Sequence, residues 1–527
     1  MIARTVAGAV VVCATLFARA AAAEIPDPMP APSVDGGAPD GPPLVAPSPP
    51  PAAAPTPPPA APAPPKYTDQ ISPEAMRKLT WRDIVVVSGP HSDADPSWMW
   101  ARWRANLYGF VELNAMHDST QSYGPSSNNA VLARPGTYAG LHGRTQMTAN
   151  NSLFGFVIKP RERRGLLPMG HVEMDFFGVQ PSDATESTLF TTPSVRMRLF
   201  YFSLKAEMGE RSSATLLVGQ YHDLFGWGGN GFYPHSVAFL GIAGEIYRRQ
   251  PQIRAAVTIP ACCVTVDVAA AAVRPVQRDS EVPDVEGGIK LSVDKWRGVG
   301  AQGFGQPDTQ PLSVGVSGVW RRFAVAEFLP VPGDPKIGFG WGLAVNAFAP
   351  IIRGHSVMDR RNALSLNAEL TTGSGISDLY TGLTGGALFP TLPNPSGMMP
   401  PPLYRPNIDS GIVTFDADGN LKTIDWNAFV VGLQYYLPIA YGHVWVSANY
   451  SQLKSNNIIS LTPENSRGAV FYYQDYVDGN LFGELTPAVQ VGVSYQWTHQ
   501  VFGDRPFSGP HPESHNHRAE LGFRFFF

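Results

Sequence analysis

Cysteine is nearly absent: the 527 residues contain three. Cys13 falls in an N-terminal apolar stretch that reads as a cleaved leader. The remaining two, Cys262 and Cys263, are adjacent. Neighbours along a strand point to opposite faces, and a bond between them would be strained, so no disulfide framework holds this fold. We read both as small apolar residues within a strand. Charge is also sparse, at 16% Asp, Glu, Lys and Arg, with a formal net charge of −4. That balance supplies no basic face, which excludes a nucleic-acid partner. Long apolar runs are missing as well. The nearest to a spanning helix, residues 255–273, contains Pro260 and Asp267 and is rich in β-branched residues. Two strands joined by a tight turn at Pro260 and Ala261 account for it better. No Ser/His/acid set with usable spacing can be assembled, so the chain does not read as an enzyme. The glycine-rich run from Phe225 to Gly231 follows a strand with no phosphate-binding helix behind it, and no cofactor is expected.

What is present is alternation. At the carboxyl end Ala519, Leu521, Phe523, Phe525 and Phe527 share one face, and Arg518, Glu520, Gly522 and Arg524 share the other. A strand with one face for lipid and one for water is what a transmembrane β-barrel requires. Leu521, Phe523, Phe525 and Phe527, ending on an aromatic residue, look like the signal read by the barrel-assembly machinery of a Gram-negative outer membrane. Residues 1–23 carry Arg4, an apolar core and a run of alanines before Glu24, which fits a secretory signal peptide. Residues 24–66 are dominated by Pro and Ala and cannot bury a core. They should form a disordered periplasmic spacer, at ~3.1 Å per residue on the order of 120 Å when stretched. Residues 67–104, with Trp81, Trp98, Trp100 and Trp103, read as a periplasmic lead-in to the rim. The barrel itself is expected over 105–527.

Counting back from a last strand that ends in the periplasm gives about sixteen strands in an up-and-down antiparallel barrel, with 14 or 18 left open. The phase sorts the connections. Short ones (260–261, 207–213, 438–441) fall on the periplasmic side. Long ones (118–142, 225–251, 371–424) fall outside, as barrels prefer. The same alternation nominates inward, channel-lining residues: Glu112 and Asn114; Arg144 and Gln146; His171, Glu173 and Asp175; Arg196 and Arg198, set against outward Val195, Met197 and Leu199; and Asn367 with Glu369. An ionised group facing mid-bilayer costs ~2–4 kcal/mol, so these faces must line a cavity. Acids on the third strand beside arginines on its neighbours suit either a constriction with a transverse field or cross-strand ion pairs that brace the wall.

Four stretches resemble DcaP-like porins: Leu107-Tyr108-Gly109-Phe110-Val111-Glu112, Gly143-Arg144-Thr145-Gln146, Arg196-Met197-Arg198-Leu199-Phe200-Tyr201 and Leu217-Val218-Gly219-Gln220-Tyr221-His222. That resemblance implies a 16-stranded homotrimer passing small, often anionic, solutes, with Arg144, Arg196 and Arg198 as candidate anion contacts. A Pro/Ala spacer stands where that family often carries a coiled coil. The expected partners are outer-membrane lipid and lipopolysaccharide, the assembly machinery and small hydrophilic solutes. The alternatives are a structural anchor, with the spacer tying the barrel to wall or periplasmic partners, and an outer-membrane hydrolase. His511, Glu513, His515 and His517 read as a solvated tract in the last outer loop, with no metal expected. The longest loop, 371–424, reads either as folding into the pore and narrowing it or as an outer lid or surface decoration.

Overall fold

The computed structural model describes residues 103–124, 131–160, 166–178, 194–208, 212–227, 241–300, 308–326, 335–356, 358–383, 390–392, 407–503 and 512–527. The expected signal peptide, the spacer, Trp81, Trp98 and Trp100 of the lead-in, and His511 lie outside them.

Sixteen strands cross the wall. They are β1 (Trp103–Asp118), β2 in two pieces (Arg144–Thr148 and Leu153–Pro160), β3 (Leu166–Asp175), β4 (Arg196–Met208), β5 (Ser212–His222), β6 (Arg249–Ala261), β7 (Val264–Val273) and β8 (Asp284–Val299). The second half comprises β9 (Thr309–Ala326), β10 (Pro335–Ile352), β11 (Leu364–Ser374), β12 (Asp425–Tyr436), β13 (Val444–Lys454), β14 (Phe471–Thr486), β15 (Val489–Phe502) and β16 (Glu513–Phe526). Each pairs antiparallel with the next, and β16 pairs with β1, so the sheet closes and has no edge. Closure is what a sheet needs in lipid, where an unpaired backbone group has no water to bond. No helix among the described residues is long and apolar enough to cross a membrane.

The alternation seen in the sequence becomes two faces. Leu107, Val111 and Leu113 of β1 are exposed, while Glu112 and Asn114, which alternate with them, are fully buried. On β10, exposed Phe339, Trp341 and Leu343 alternate with an inward series that includes buried Ala344 and Phe348. The seam is held by more than ladder bonds. Arg524 pairs with Glu112, and Arg518 forks onto Asp118 with both N···O distances at 2.9 Å. These residues face one another in the β1–β16 register. The terminal Phe527 exchanges backbone hydrogen bonds with Gly109, at 3.0 and 3.1 Å.

Three local expectations are corrected. The β6–β7 turn is not at Pro260 and Ala261, which belong to β6, but at Cys262 and Cys263. The cysteines are therefore turn residues, with Cys262 exposed at φ 56°, and not strand residues. Their thiols are free. Leu199 does not face outward. The β3–β4 register shifts between Glu173 and Met174, placing Leu199 opposite Glu173, where it is 7% exposed. One extra residue on a strand flips every side chain beyond it. Finally, Glu513, His515 and His517 lie in β16 and not in the loop before it.

Candidate channel and its inserted loops

The inward faces of β3 and β4 carry the charges that sequence patterning singles out. Arg196 forks onto Asp175, at 2.9 Å from Nε and 2.6 Å from Nη2. Arg198 donates to Glu173 at 2.8 Å and to Asp175 at 3.1 Å. Acids and bases are thus ion-paired on one wall. Arg144 joins neither acid; it and Gln146 donate to the Tyr123 carbonyl, at 3.2 and 3.1 Å. His171 sits between Tyr108 and Tyr201, and Tyr108 also donates to Glu173 at 2.8 Å. Glu112 takes Arg524 and Asn151, and Asn114 donates to Glu520 at 3.1 Å, so this pair sits in the seam. Asn367 and Glu369 are buried on β11.

Glu369 is buried because a loop lies on it. After β5 the chain turns inward. Glu286 on β8 accepts the backbone N–H groups of Leu224 and Phe225, at 2.7 and 3.0 Å. Ser317 on β9 accepts the Gly226 N–H at 2.8 Å. The Trp227 indole donates to the Val316 carbonyl at 3.2 Å. Two glycines make room. A Cβ on Gly342 would stand 2.8 Å from Phe225, and one on Gly288 would stand 2.9 Å from Trp227. The returning half docks farther round the wall. Ile246 N–H donates to Glu369 at 2.7 Å, and the Ala243 carbonyl accepts from Ser451 on β13. The segment then pairs with the start of the loop after β11, through a bridge between Ile246 and Tyr380. Together Phe225, Ile246, Ile376, Leu379 and Tyr380 form an apolar core with inward residues of β9 to β15.

So the loop after β5 and the first turns of the loop after β11 occupy part of the lumen, on the side of β8 to β14. On the opposite side the inserted segment reaches Arg198 through the Tyr247 hydroxyl, 3.4 Å away. The sequence offered residues 371–424 as one candidate to enter the pore, and the start of that loop does so; it assigned the loop after β5 no such role. The available signal was apolar: Leu224, Phe225, Trp227, Ile242 and Ile246 are poor choices for a loop in water.

Glu245, in the inserted segment, is 5% exposed. Burial, and then the neighbouring Glu369, hold its carboxyl well above the ordinary range. An acid raised in this way favours the docked loop while neutral. That contribution is complete below the ordinary carboxylate range and is lost as pH climbs through the raised value. Raising the pH upward from the ordinary carboxylate range should therefore loosen the loop and make single-channel currents larger and noisier. Glu245→Gln should be flat over the same range; a variant that still responds contradicts this assignment.

At the long-loop end, a cavity of about 390 Å³ is lined by Arg248, Arg274, Arg278, Val276, Asn407, Ile408 and Asp409. Three arginines face one acid. Arg248 is tied to Asp378, whereas Arg274 and Arg278 are exposed.

No family model matches the chain, and no curated protein sequence does. Among solved structures, the outer membrane channel DcaP of Acinetobacter baumannii matches with a TM-score of 0.54 at 15% identity, over 81% of this chain and 99% of that one. OprB of Pseudomonas putida gives 0.44 at 11% identity, over 81% and 94%. OmpT, an outer membrane protein of Vibrio cholerae, gives 0.43 at 10% identity, over 82% and 100%. What the likeness to DcaP shows is shared architecture: this chain folds as a closed antiparallel β-barrel, as that channel does.

Proposed function

We propose that the protein is a Gram-negative outer-membrane porin, a water-filled channel for passive diffusion of small hydrophilic solutes with a preference for anions. The observation that carries this reading is the two-faced wall. Sixteen strands are enough to leave an aqueous bore, and here polar and charged residues are placed on the inner face. Partly exposed Arg144, His171 and Arg196 belong to the wet wall, and Arg198, 17% exposed, is where that wall meets the inserted loop at Tyr247. Glu112, Asn114, Gln146, Glu173, Asp175, Asn367 and Glu369 hold that wall and the loop in shape. The basic cavity at the mouth supports the anion preference: with Arg248 tied to Asp378, the exposed Arg274 and Arg278 still outnumber Asp409 and favour anions at the entrance. Residues 24–66 act as a periplasmic spacer, both chain ends lie in the periplasm, and the working unit is a homotrimer.

The selectivity is tested by Arg274→Ala/Arg278→Ala. Both side chains are exposed, so folding is spared. Under a KCl gradient across a planar bilayer, the wild type should give an anion-selective reversal potential, and the double variant should move toward the cation side. Equal potentials would remove the mouth arginines from the account.

A further inference from the structure

The outer face of β14, β15 and β16 near the long-loop end holds side chains that neither a lipid-facing wall nor a channel explains. Asp475, His499 and His515 stand opposite one another on three adjacent strands. They alternate with inward Gln474, Gln500 and Ser514, so they project to the exterior. Glu513 lies one step along on the same face of β16. The candidate donor atoms of His499, Glu513 and His515 all fall within 4.8 Å of one another.

We propose that His499, Glu513 and His515 form a binding site for a divalent transition-metal ion, with zinc the best fit, and that Asp475 positions the first of these ligands. The donor set is two imidazoles and a carboxylate, which suits zinc and not the oxygen-only shells of calcium or magnesium. The spacing fits. Ligands at about 2.0–2.1 Å from a tetrahedral zinc lie roughly 3.3 Å apart. His499 Nε2 and Glu513 Oε2 are 3.4 Å apart. The imidazoles of His499 and His515 lie nearly parallel, 11° between planes and 4.6 Å between centroids, so a small rotation of either turns a nitrogen toward the shared point.

The surroundings are those of a metal-binding histidine. His499 Nδ1 faces Asp475 Oδ2 at 3.4 Å, which fixes the tautomer with the lone pair on Nε2, the atom beside Glu513. A carboxylate behind a ligating imidazole orients it and raises its basicity. Asp475 is itself held, accepting from the hydroxyls of Tyr450 at 2.8 Å and Tyr473 at 2.9 Å. Trp497 stacks against both imidazoles, with centroids 5.7 Å from each. Three protein ligands leave the fourth position to water.

The test is isothermal titration calorimetry of zinc chloride into the full-length protein, purified without a polyhistidine tag, in detergent at neutral pH. The wild type should bind one zinc per chain that His499→Ala/His515→Ala lacks, and calcium chloride should not compete. Asp475→Asn should keep the site and weaken it 10- to 100-fold, as loss of such a supporting partner does. Folding of each variant is checked by its heat-modifiable mobility on gels. The proposal is overturned if the double alanine variant binds as many zinc ions as the wild type, or if the wild type binds none. It is also overturned if calcium displaces the zinc, which would mark an oxygen-donor surface in place of an imidazole site.

Discussion

Valine at both Gly288 and Gly342 should raise single-channel conductance severalfold. These glycines are the sockets that admit Trp227 and Phe225, whose rings lie within 3 Å of where a Cβ would stand. The wall resists less than the loop does: at Gly288 the nearest atoms all belong to Trp227, and at Gly342 the added carbon would also stand 3.0 Å from Val319 Cγ1 on β9. Neither glycine has a positive φ, and valine is a good strand residue. The inserted segment does have a reason to leave. Forcing extra carbons into a packed contact costs ~1–3 kcal/mol at each site. The Leu224–Trp227 end of the segment is held by four hydrogen bonds of ~0.5–1.5 kcal/mol each and by the packing of these same two rings, so two such clashes undo much of what keeps that end docked. Phe225→Ala/Trp227→Ala approaches the same contact from the loop side and leaves the wall untouched. It should move conductance in the same direction. If both double variants conduct as the wild type does, the loop does not narrow the path.

The second large effect concerns Arg321. This β9 side chain is fully buried and bonds Asp284 at 2.8 Å, Asp378 at 2.6 and 2.9 Å and the Gly375 carbonyl at 2.9 Å. Asp378 also takes Arg248 from the inserted loop. One guanidinium therefore joins the wall to both inserted segments. Arg321→Met keeps much of the volume, leaves buried Asp284 without its cation and leaves Asp378 with Arg248 alone. Removing one partner of a buried pair destabilises by ~3–5 kcal/mol, mostly through the charge left behind. The temperature at which the folded gel band disappears should drop clearly. Asp284→Asn in the Arg321→Met background should recover part of the loss, because it removes the stranded charge. A double variant no better than the single one would show that the arginine acts through packing alone.

How much of this was legible in the sequence follows from what each feature depends on. All sixteen strands could be read because lipid demands an apolar residue at every second position, and that demand is local. The seam residues Arg518, Glu520 and Arg524 were visible on the water face for the same reason. Features that depend on register were not. Leu199 alternates correctly in sequence and is turned inward only by a bulge whose cause lies in its pairing with β3. Pro260 drew the turn away from Cys262 and Cys263, although proline is tolerated at a strand end. The inserted loop was missed because Phe-Gly-Trp-Gly-Gly resembles a solvent loop. Its meaning lies in Gly288 and Gly342, far off in sequence and unremarkable alone. Likewise nothing near His499 in the sequence marks it, and the pairing of β15 with β16 sets it beside His515.

The central claim is that a hydrated path stays open beside the inserted loops. Liposomes reconstituted with the purified full-length protein and transferred into isotonic solutions of hydrophilic solutes of rising size test it most directly. The account predicts rapid swelling with the smallest solutes, a fall in rate as size grows, and a later cut-off in the Gly288→Val/Gly342→Val variant. Liposomes that stay as tight as protein-free ones, with the barrel shown to be folded and inserted, would contradict it.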